Sequence, residues 1–377
     1  MVTLRVIVDS ILEGSPRGIA RYTEGLTRAL IATAPRDCVV EGVVAAASEV
    51  EYEELLARLP GLAGLHKTTL GRRELYAAWQ HGITTLPIGG MVHATTLLAP
   101  LKAHDRAATP GEQTVVTIHD ATPWLFPDGS NRAGWVRHMA KRAKKVADAI
   151  VVPSHAVAAE LEHFVGFGER VRVIGGAVNS TLALPADAAE IATRLDLPAE
   201  YLLAVGGMQP HKGVDALLAA LALPEAPDLP LVLVGPDRHG DRTLATALAD
   251  AGLPAERVRH LGFLPDAELA VVLDGATAFV LPSLNEGFGL TAVEAFSFGT
   301  PVIHSDAPAL VEVADGAGVV VEREPAESYP RRLAEALSNT LADAELMERL
   351  EIVGRDRAKA FSWRDSAERV WQLHADL

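Results

Sequence analysis

Cysteine is all but missing from this chain of 377 residues: Cys38 is the only one. A single thiol excludes an intrachain disulfide and any cysteine-based metal centre. No apolar stretch reaches the roughly 18 residues that a membrane-spanning helix needs. The opening MVTLRVIVDS has no charged region followed by a long apolar run, so no signal peptide is expected. Low-complexity tracts are also lacking, and the expected location is the cytoplasm. What is present is an ordinary globular composition, 49% hydrophobic and 22% charged, with length enough for two domains that each bury a core. The net charge of −15 is uneven. Residues 1–180 carry 19 Lys and Arg against 18 Asp and Glu, and the remainder carries 15 against 31. Such an acidic chain is a poor general nucleic-acid binder, and no nucleic-acid partner is expected.

The most informative stretch is FVLPSLNEGFGLTAVEAFSFGTPVIHS, Phe279 to Ser305. Phe279–Leu281 reads as a buried strand, and Asn285–Gly289 as a loop with two glycines. Leu290–Phe298 follows as a helix stopped by Gly299, and Pro301–Ile303 begins the next strand. A glycine loop opening into a helix presents unpaired N–H groups and the positive end of the helix dipole, a natural phosphate cradle. Glu286 and Glu294 frame it, and a carboxylate accepts hydrogen bonds from sugar or ribose hydroxyls in pairs.

The same strand–loop–helix pattern occurs twice more. Leu4–Val8 leads through a loop ending at Gly18 into a helix from Ile19 to Ile31, with Arg17 and Arg21 as further candidate contacts. Tyr201–Val205 leads through Gly206-Gly207-Met208-Gln209-Pro210-His211-Lys212-Gly213 into a helix ending near Leu221, and Lys212 supplies a point charge for a phosphate. Between these lies a strand, Thr114–Ile118, with His119-Asp120 at its C-terminal end, where open α/β sheets place ligands. Further strands are expected at Cys38–Val44, Leu65–Leu70, Met91–Ala94, Ile150–Val152, Val171–Ile174, Leu231–Val234, Arg257–Leu261 and Val319–Val321. Helices are expected at Glu51–Leu59, Arg73–Leu86 and Arg137–Ala149, with a helical region from Glu327 to Ala360 broken near Ala342-Asp343. The Arg137–Ala149 helix carries His138, Lys141, Arg142, Lys144 and Lys145. Its 137–145 face could meet anionic lipid or a lipid-phosphate acceptor, although a solvated surface face is the favoured reading.

The string NEGFGLTAVEAFSFGTPVI, with seven residues between Glu286 and Glu294, resembles the E-x7-E motif of glycosyltransferase family 4, the group 1 glycosyl transferases. GIARYTEGLTRAL and VVTIHDATPWLFP resemble that family's first loop and its His-Asp loop. The resemblance implies an α/β protein of the GT-B class, two Rossmann-like domains facing across a cleft. The expected acceptor domain is 1–182 and the expected nucleotide-sugar donor domain 183–360, with a last helix, 361–377, returning to the first. It implies a retaining glycosyltransferase moving a hexose from a nucleotide sugar to an acceptor hydroxyl, a growing glycan or lipid-linked sugar. GDP-mannose is the first candidate donor, with UDP- and dTDP-sugars as alternatives. Glu286, His119 and Lys212 become the catalytic candidates. Gly18, Gly207, His211, Phe288, Gly289, Leu290 and Glu294 become donor contacts, Glu294 at the ribose and His119 near the reacting sugar. No Asp-x-Asp pair occurs, so neither metal nor cofactor is expected. Two departures stand out: relatives carry an Arg near the places taken here by Gly207 and His211, and their Asn-Gly-Val-Asp turn reads Gly176-Ala177-Val178-Asn179.

Competing readings are a sugar-nucleotide epimerase of the same architecture and a non-catalytic nucleotide-sugar-binding protein. The presence of Glu286, Glu294, Lys212 and His119 together favours an enzyme. A nicotinamide-dependent dehydrogenase would need a Gly-x-Gly-x-x-Gly turn after the first strand, and Ile7–Gly18 does not supply it.

Overall fold

The computed structural model describes residues 2–13, 17–83, 90–105, 107–127 and 131–377, apart from the side chain of Arg17. The chain divides into two compact units, Met1–Ala177 with Ser362–Leu377, and Val178–Phe361. The division falls before the expected 182/183 boundary for a packing reason: Leu182 is buried in the second unit's core with Val178 against it. Phe361 likewise belongs to the second unit, and only the residues after it join the first.

The first unit is a seven-stranded sheet. Its strands are β1 (Val2–Ile7), β2 (Cys38–Ala46), β3 (Gly64–Gly71), β4 (Met91–Ala94), β5 (Gln113–Thr117), β6 (Ala149–Val152) and β7 (Val171–Val173). They lie in the order β3-β2-β1-β4-β5-β6-β7, and every pairing is parallel. Parallel strands need crossover connections, and helices then cover both faces of the sheet, so a central strand such as β6, AIVV, reads as an unbroken apolar run. In β5 the alternation is plain: Val115 enters one core and Val116 the other. The order reverses between β1 and β4, and at such a switch point a crevice opens beyond the C-terminal ends of the strands.

The second unit repeats the plan. Its sheet is made of β8 (Leu202–Val205), β9 (Leu231–Val234), β12 (Val258–Gly262), β13 (Ala278–Leu281), β14 (Val302–Ser305) and β15 (Val319–Val321), the hairpin β10 (Arg238–His239) and β11 (Arg242–Thr243) lying apart from it. The sheet order is β12-β9-β8-β13-β14-β15, again wholly parallel, with its switch point between β8 and β13. Leu202 and Ala204 face one core, Leu203 the other. Burying each such large apolar side chain contributes about 1.5–3 kcal/mol.

The final helix, Trp363–Asp376, is capped by Ser362, whose side chain accepts from the Asp365 N–H. It packs within the first unit, where Val370, Trp371 and Leu373 are buried with Tyr22, Leu26 and Leu30. Trp371 donates to the Leu30 carbonyl at 3.2 Å, and Ser366 to that of Gly175 at 2.9 Å.

Several expected boundaries shift. The helix at Arg72–Gln80 ends earlier than expected, and its anticipated continuation to Leu86 runs into residues outside those described. The basic helix spans Asn131–Val146. Three of its cations are committed to carbonyls of the chain itself: Arg137 to Pro123, Arg142 through two nitrogens to Leu101, and Lys144 to Val165. These bonds tie the helix to neighbouring loops, so the expected membrane contact through 137–145 is not supported. No helix among the described residues is long and apolar enough to cross a membrane.

Candidate functional site

In the second unit the chemistry gathers at the switch point. Lys212 follows β8 and Glu286 follows β13, and these strands are neighbours. Lys212 Nζ lies 2.7 Å from Glu286 Oε1, and Ser283 Oγ donates to the same oxygen at 2.8 Å. Both charges are partly buried, Lys212 the more open of the two. Glu286 Oε2 has no protein partner among the described residues, so one carboxylate oxygen is anchored and the other remains an acceptor.

Backbone contacts hold the two loops together. The His211 carbonyl accepts from the N–H groups of Leu284 and Asn285 at 2.7 and 3.3 Å. Gly213, with φ +67°, packs so closely on Pro282 that a Cβ would lie 2.0 Å from its carbonyl oxygen. Tyr329 donates to that oxygen at 3.0 Å, and Arg323 braces the loop by binding the Leu284 carbonyl and the Asp306 side chain. The donors are fixed before any ligand arrives, which is what stabilisation of a developing charge requires.

Gly289, at φ +80°, caps the helix Leu290–Phe298, and a Cβ there would run into Leu310. The N–H groups around Gly289 and Leu290 precede the helix's first internal bond, Ala292 to the Gly289 carbonyl. Phe288 sets its ring edge against Phe361, centroids 5.4 Å apart. Glu294 is 1% exposed, and a ribose could reach it only after neighbouring groups move. Gly207 also has a packing reason: a Cβ would lie 2.6 Å from Pro236 Cγ, and Gly235 in turn presses on the Gly206 carbonyl. The place where the family resemblance implies an arginine is thus closed to a side chain by a proline ring.

In the first unit Gly18 lies in the first turn of the helix Arg17–Ala32, rather than in the expected loop, with no atom of the described residues within 4 Å of its missing Cβ. Gly14-Ser15-Pro16 and the Arg17 side chain lie outside the described residues. Arg21 turns Nε and Nη2 away from solvent, which disfavours it as an open contact. His119 Nε2 sits 2.8 Å from the Thr95 carbonyl. A carbonyl only accepts, so Nε2 carries the proton and Nδ1 is the acceptor. Burial pushes the imidazole's pKa below its usual value, against the opposing pull of that carbonyl and of Asp120, and keeps the ring neutral near pH 7. Tyr22 meets the His119 ring edge-on, centroids 4.8 Å apart at 85°.

Comparison with known proteins identifies the family. The family model described as Glycosyltransferase Family 4 matches residues 16–182, and that described as Glycosyl transferases group 1 matches 187–357. The alpha-maltose-1-phosphate synthase of Mycolicibacterium smegmatis is 30% identical over 310 residues, 75% of this chain and 78% of that protein. The chain belongs to glycosyltransferase family 4. The D-inositol 3-phosphate glycosyltransferase of Thermobispora bispora is 34% identical to this glycosyltransferase, over 73% of this chain and 67% of its own. Among solved structures, sucrose-phosphate synthase of Thermosynechococcus elongatus superposes with TM-score 0.71 at 22% identity, covering 100% of this chain and 99% of that one. The architecture is accordingly that of the GT-B glycosyltransferases.

Residue patterns alone had not brought out Ser283, Thr95, Tyr22 or Arg323 in this glycosyltransferase. Serine and threonine at strand ends carry no spacing signal, and each acts here on a partner set by tertiary packing. Gly213 had a usable signal: a glycine directly after a lysine in a strand–helix loop marks close backbone approach.

Proposed function

We propose that this glycosyltransferase transfers a hexose from a nucleotide sugar to an acceptor hydroxyl with retention at the anomeric carbon, and that GDP-mannose is the first donor to test. The observation that carries the reading is the Lys212–Glu286 pair, with Ser283 anchoring one carboxylate oxygen and leaving the other to accept. Lys212 meets the donor diphosphate, assisted by the N–H groups at Phe288, Gly289 and Leu290 and by the backbone around Gly18, Gly207 and His211. Glu286 Oε2 takes hexose hydroxyls. His119, neutral and with Nδ1 as acceptor, takes another, and Glu294 holds the ribose once nucleotide binding opens its surroundings.

In the reaction the bond from the anomeric carbon to the phosphate oxygen breaks, and the bond to the acceptor oxygen forms on the same face. The acceptor's proton passes to the departing phosphate oxygen. Lys212 and the helix-opening N–H groups stabilise the charge that builds there. This scheme gives no step to a metal or cofactor, in keeping with a chain that contains no Asp-x-Asp pair. The mannose preference draws on the O-antigen chain mannosyltransferase B of Escherichia coli, 29% identical over 67% of this chain and 68% of its own. UDP is the competing base, since HepE of Anabaena, solved with UDP-glucose, shares the fold at TM-score 0.72 with 19% identity and full coverage of both chains.

A thermal-shift screen with GDP, UDP, ADP and dTDP, followed by their sugar conjugates, tests the donor. A ligand that binds only the folded state raises stability with the logarithm of its concentration over Kd. A shift with one base assigns the donor class, and no shift with any base would overturn the nucleotide-sugar reading. Anomeric configuration of the product by NMR then decides between retention and inversion.

A further inference from the structure

At the switch point of the first sheet a chain of buried hydroxyls ends beside His119. Ser10 Oγ lies 2.7 Å from Thr23 Oγ1, which donates to Thr95 Oγ1 at 2.9 Å, and Thr95 Oγ1 donates to the Ile7 carbonyl at 3.1 Å. Thr23 is fully buried, Thr95 nearly so, and Ser10 is 7% exposed. The Ile7 carbonyl has no proton to give, so Thr95 donates to it and is left as an acceptor toward Thr23, while either of Ser10 and Thr23 can donate to the other. Thr23 shares its proton with the Ile19 carbonyl, 2.9 Å away. The chain thus ties three elements together: the segment after β1, the helix Arg17–Ala32 and the residue after β4.

Thr95 is also the residue whose carbonyl receives the His119 Nε2 proton. The residue before Thr23 on the same helix, Tyr22, sets its ring edge-on to the His119 imidazole. Two consecutive residues therefore bear on His119: Tyr22 directly through its ring, and Thr23 by anchoring the side chain of Thr95, whose backbone carbonyl meets Nε2. Nothing in the packing of these central strand ends calls for this. Valine at both threonine positions would fill the same volume without burying hydroxyls that must be satisfied.

We propose that Thr23 and Thr95, with Tyr22, are positioning residues that fix the orientation and tautomer of His119, so that Nδ1 is presented as an acceptor to the hydroxyl of the transferred hexose. This rests on the reading of His119 as a hexose contact. An imidazole free to rotate or to place its proton on Nδ1 would offer a donor where the sugar hydroxyl needs an acceptor. The device therefore acts on the sugar and not on the nucleotide.

The test compares Thr23→Val, which keeps shape and loses the hydroxyl, with Thr23→Ser, which keeps the hydroxyl. The full-length protein is used, with unchanged circular dichroism required of both. In Thr23→Val, kcat for transfer is expected to fall about tenfold while the Kd for the free nucleoside diphosphate stays within about twofold, and Thr23→Ser is expected to restore kcat to within about threefold of wild type. The imidazole ¹⁵N shifts of His119, assigned with His119→Gln, are expected to report a single Nε2–H tautomer in wild type and a mixture in Thr23→Val. An unchanged tautomer signature in Thr23→Val overturns the proposal, and so does a Ser variant as slow as the Val variant. Wild-type turnover in His119→Gln would instead sink the hexose-contact reading, and the tautomer measurement would still judge the positioning chain by itself.

Discussion

Gly213 and Pro282 touch backbone to backbone: a Cβ on Gly213 would fall 2.0 Å from the Pro282 carbonyl oxygen, and the Gly213 φ is +67°. This contact joins the loop that carries Lys212 to the loop that carries Glu286. A side chain there meets both a left-handed conformation and a rigid acceptor already bound by Tyr329. Gly213→Ala is expected to lower stability by about 2–4 kcal/mol and to reduce turnover further by parting Lys212 from Glu286. Urea unfolding of the variant checks the first effect, and turnover measured at low temperature, where the variant stays folded, checks the second. Wild-type values in both would mean that the loops are not held by this contact.

The Lys212–Glu286 pair separates two roles that its geometry joins. Glu286→Gln keeps the shape and removes the charge that holds Lys212 at 2.7 Å. It is expected to cut turnover by about 100-fold or more while changing nucleoside-diphosphate affinity by less than about threefold. Lys212→Met is expected to weaken that affinity by roughly 10- to 100-fold, the effect of losing a hydrogen bond to a charged group. Because the side chains are in contact, the double variant should show a coupling of at least about 0.5 kcal/mol. Titration calorimetry of the single and double variants measures it, and strictly additive effects would count against a shared site.

That pairing also marks where sequence reading stops. The runs Phe279–Leu281 and Leu231–Val234 were legible because central strands buried on both faces are apolar throughout, and Gly299 because a helix that stops on a left-handed residue calls for glycine. Lys212 and Glu286 were each visible as loop residues after a strand. Their contact, across 74 positions, depends on β8 and β13 being neighbours, and no local pattern encodes sheet order. The basic helix misled for a related reason. Arg137 and Arg142 are half-buried against loop carbonyls that no local pattern places beside them, while Lys144 binds its carbonyl and stays exposed. The unit boundary at Ala177 was equally hidden, since a crossover joins whichever core its few apolar residues enter.

A buried histidine pair predicts how the first unit responds to acid. His374, on the last helix, bonds Gln113 through Nδ1 at 2.9 Å and faces His93 Nδ1 at 3.4 Å through Nε2. Burial pushes the His374 pKa down to about 4, against the pull of Asp148. Its unfolded value is about 6.5. The unfolded chain therefore takes up this proton first as pH falls. The stability it contributes is complete above about pH 6.5 and is lost progressively down to about pH 4, amounting to about 3 kcal/mol. His93, held well below its usual value by burial and by His374, acts in the same direction. Denaturant unfolding between pH 7 and pH 4 should show a slope that flattens in His374→Gln. An equal slope in that variant would assign the acid sensitivity to other groups.

The proline beside Gly207 decides whether a relative-like arginine can be installed. Gly207 lies where a Cβ would be 2.6 Å from Pro236 Cγ and 2.7 Å from Gln209 Oε1. The glutamine can swing away, but the proline ring cannot, and the Gly235 backbone before it lies close against that of Gly206. Gly207→Arg alone is therefore expected to lower both stability and turnover, with overpacking costing about 1–3 kcal/mol. Gly207→Arg combined with Pro236→Ala removes the obstructing ring atoms, and it is expected to recover stability and to bind the nucleoside diphosphate more tightly than wild type through the added charge. Calorimetric affinities of the three proteins test this. A single Gly207→Arg variant that already binds more tightly would show that the Gly235-Pro236 turn yields, and that the charge at this position is set by something other than space.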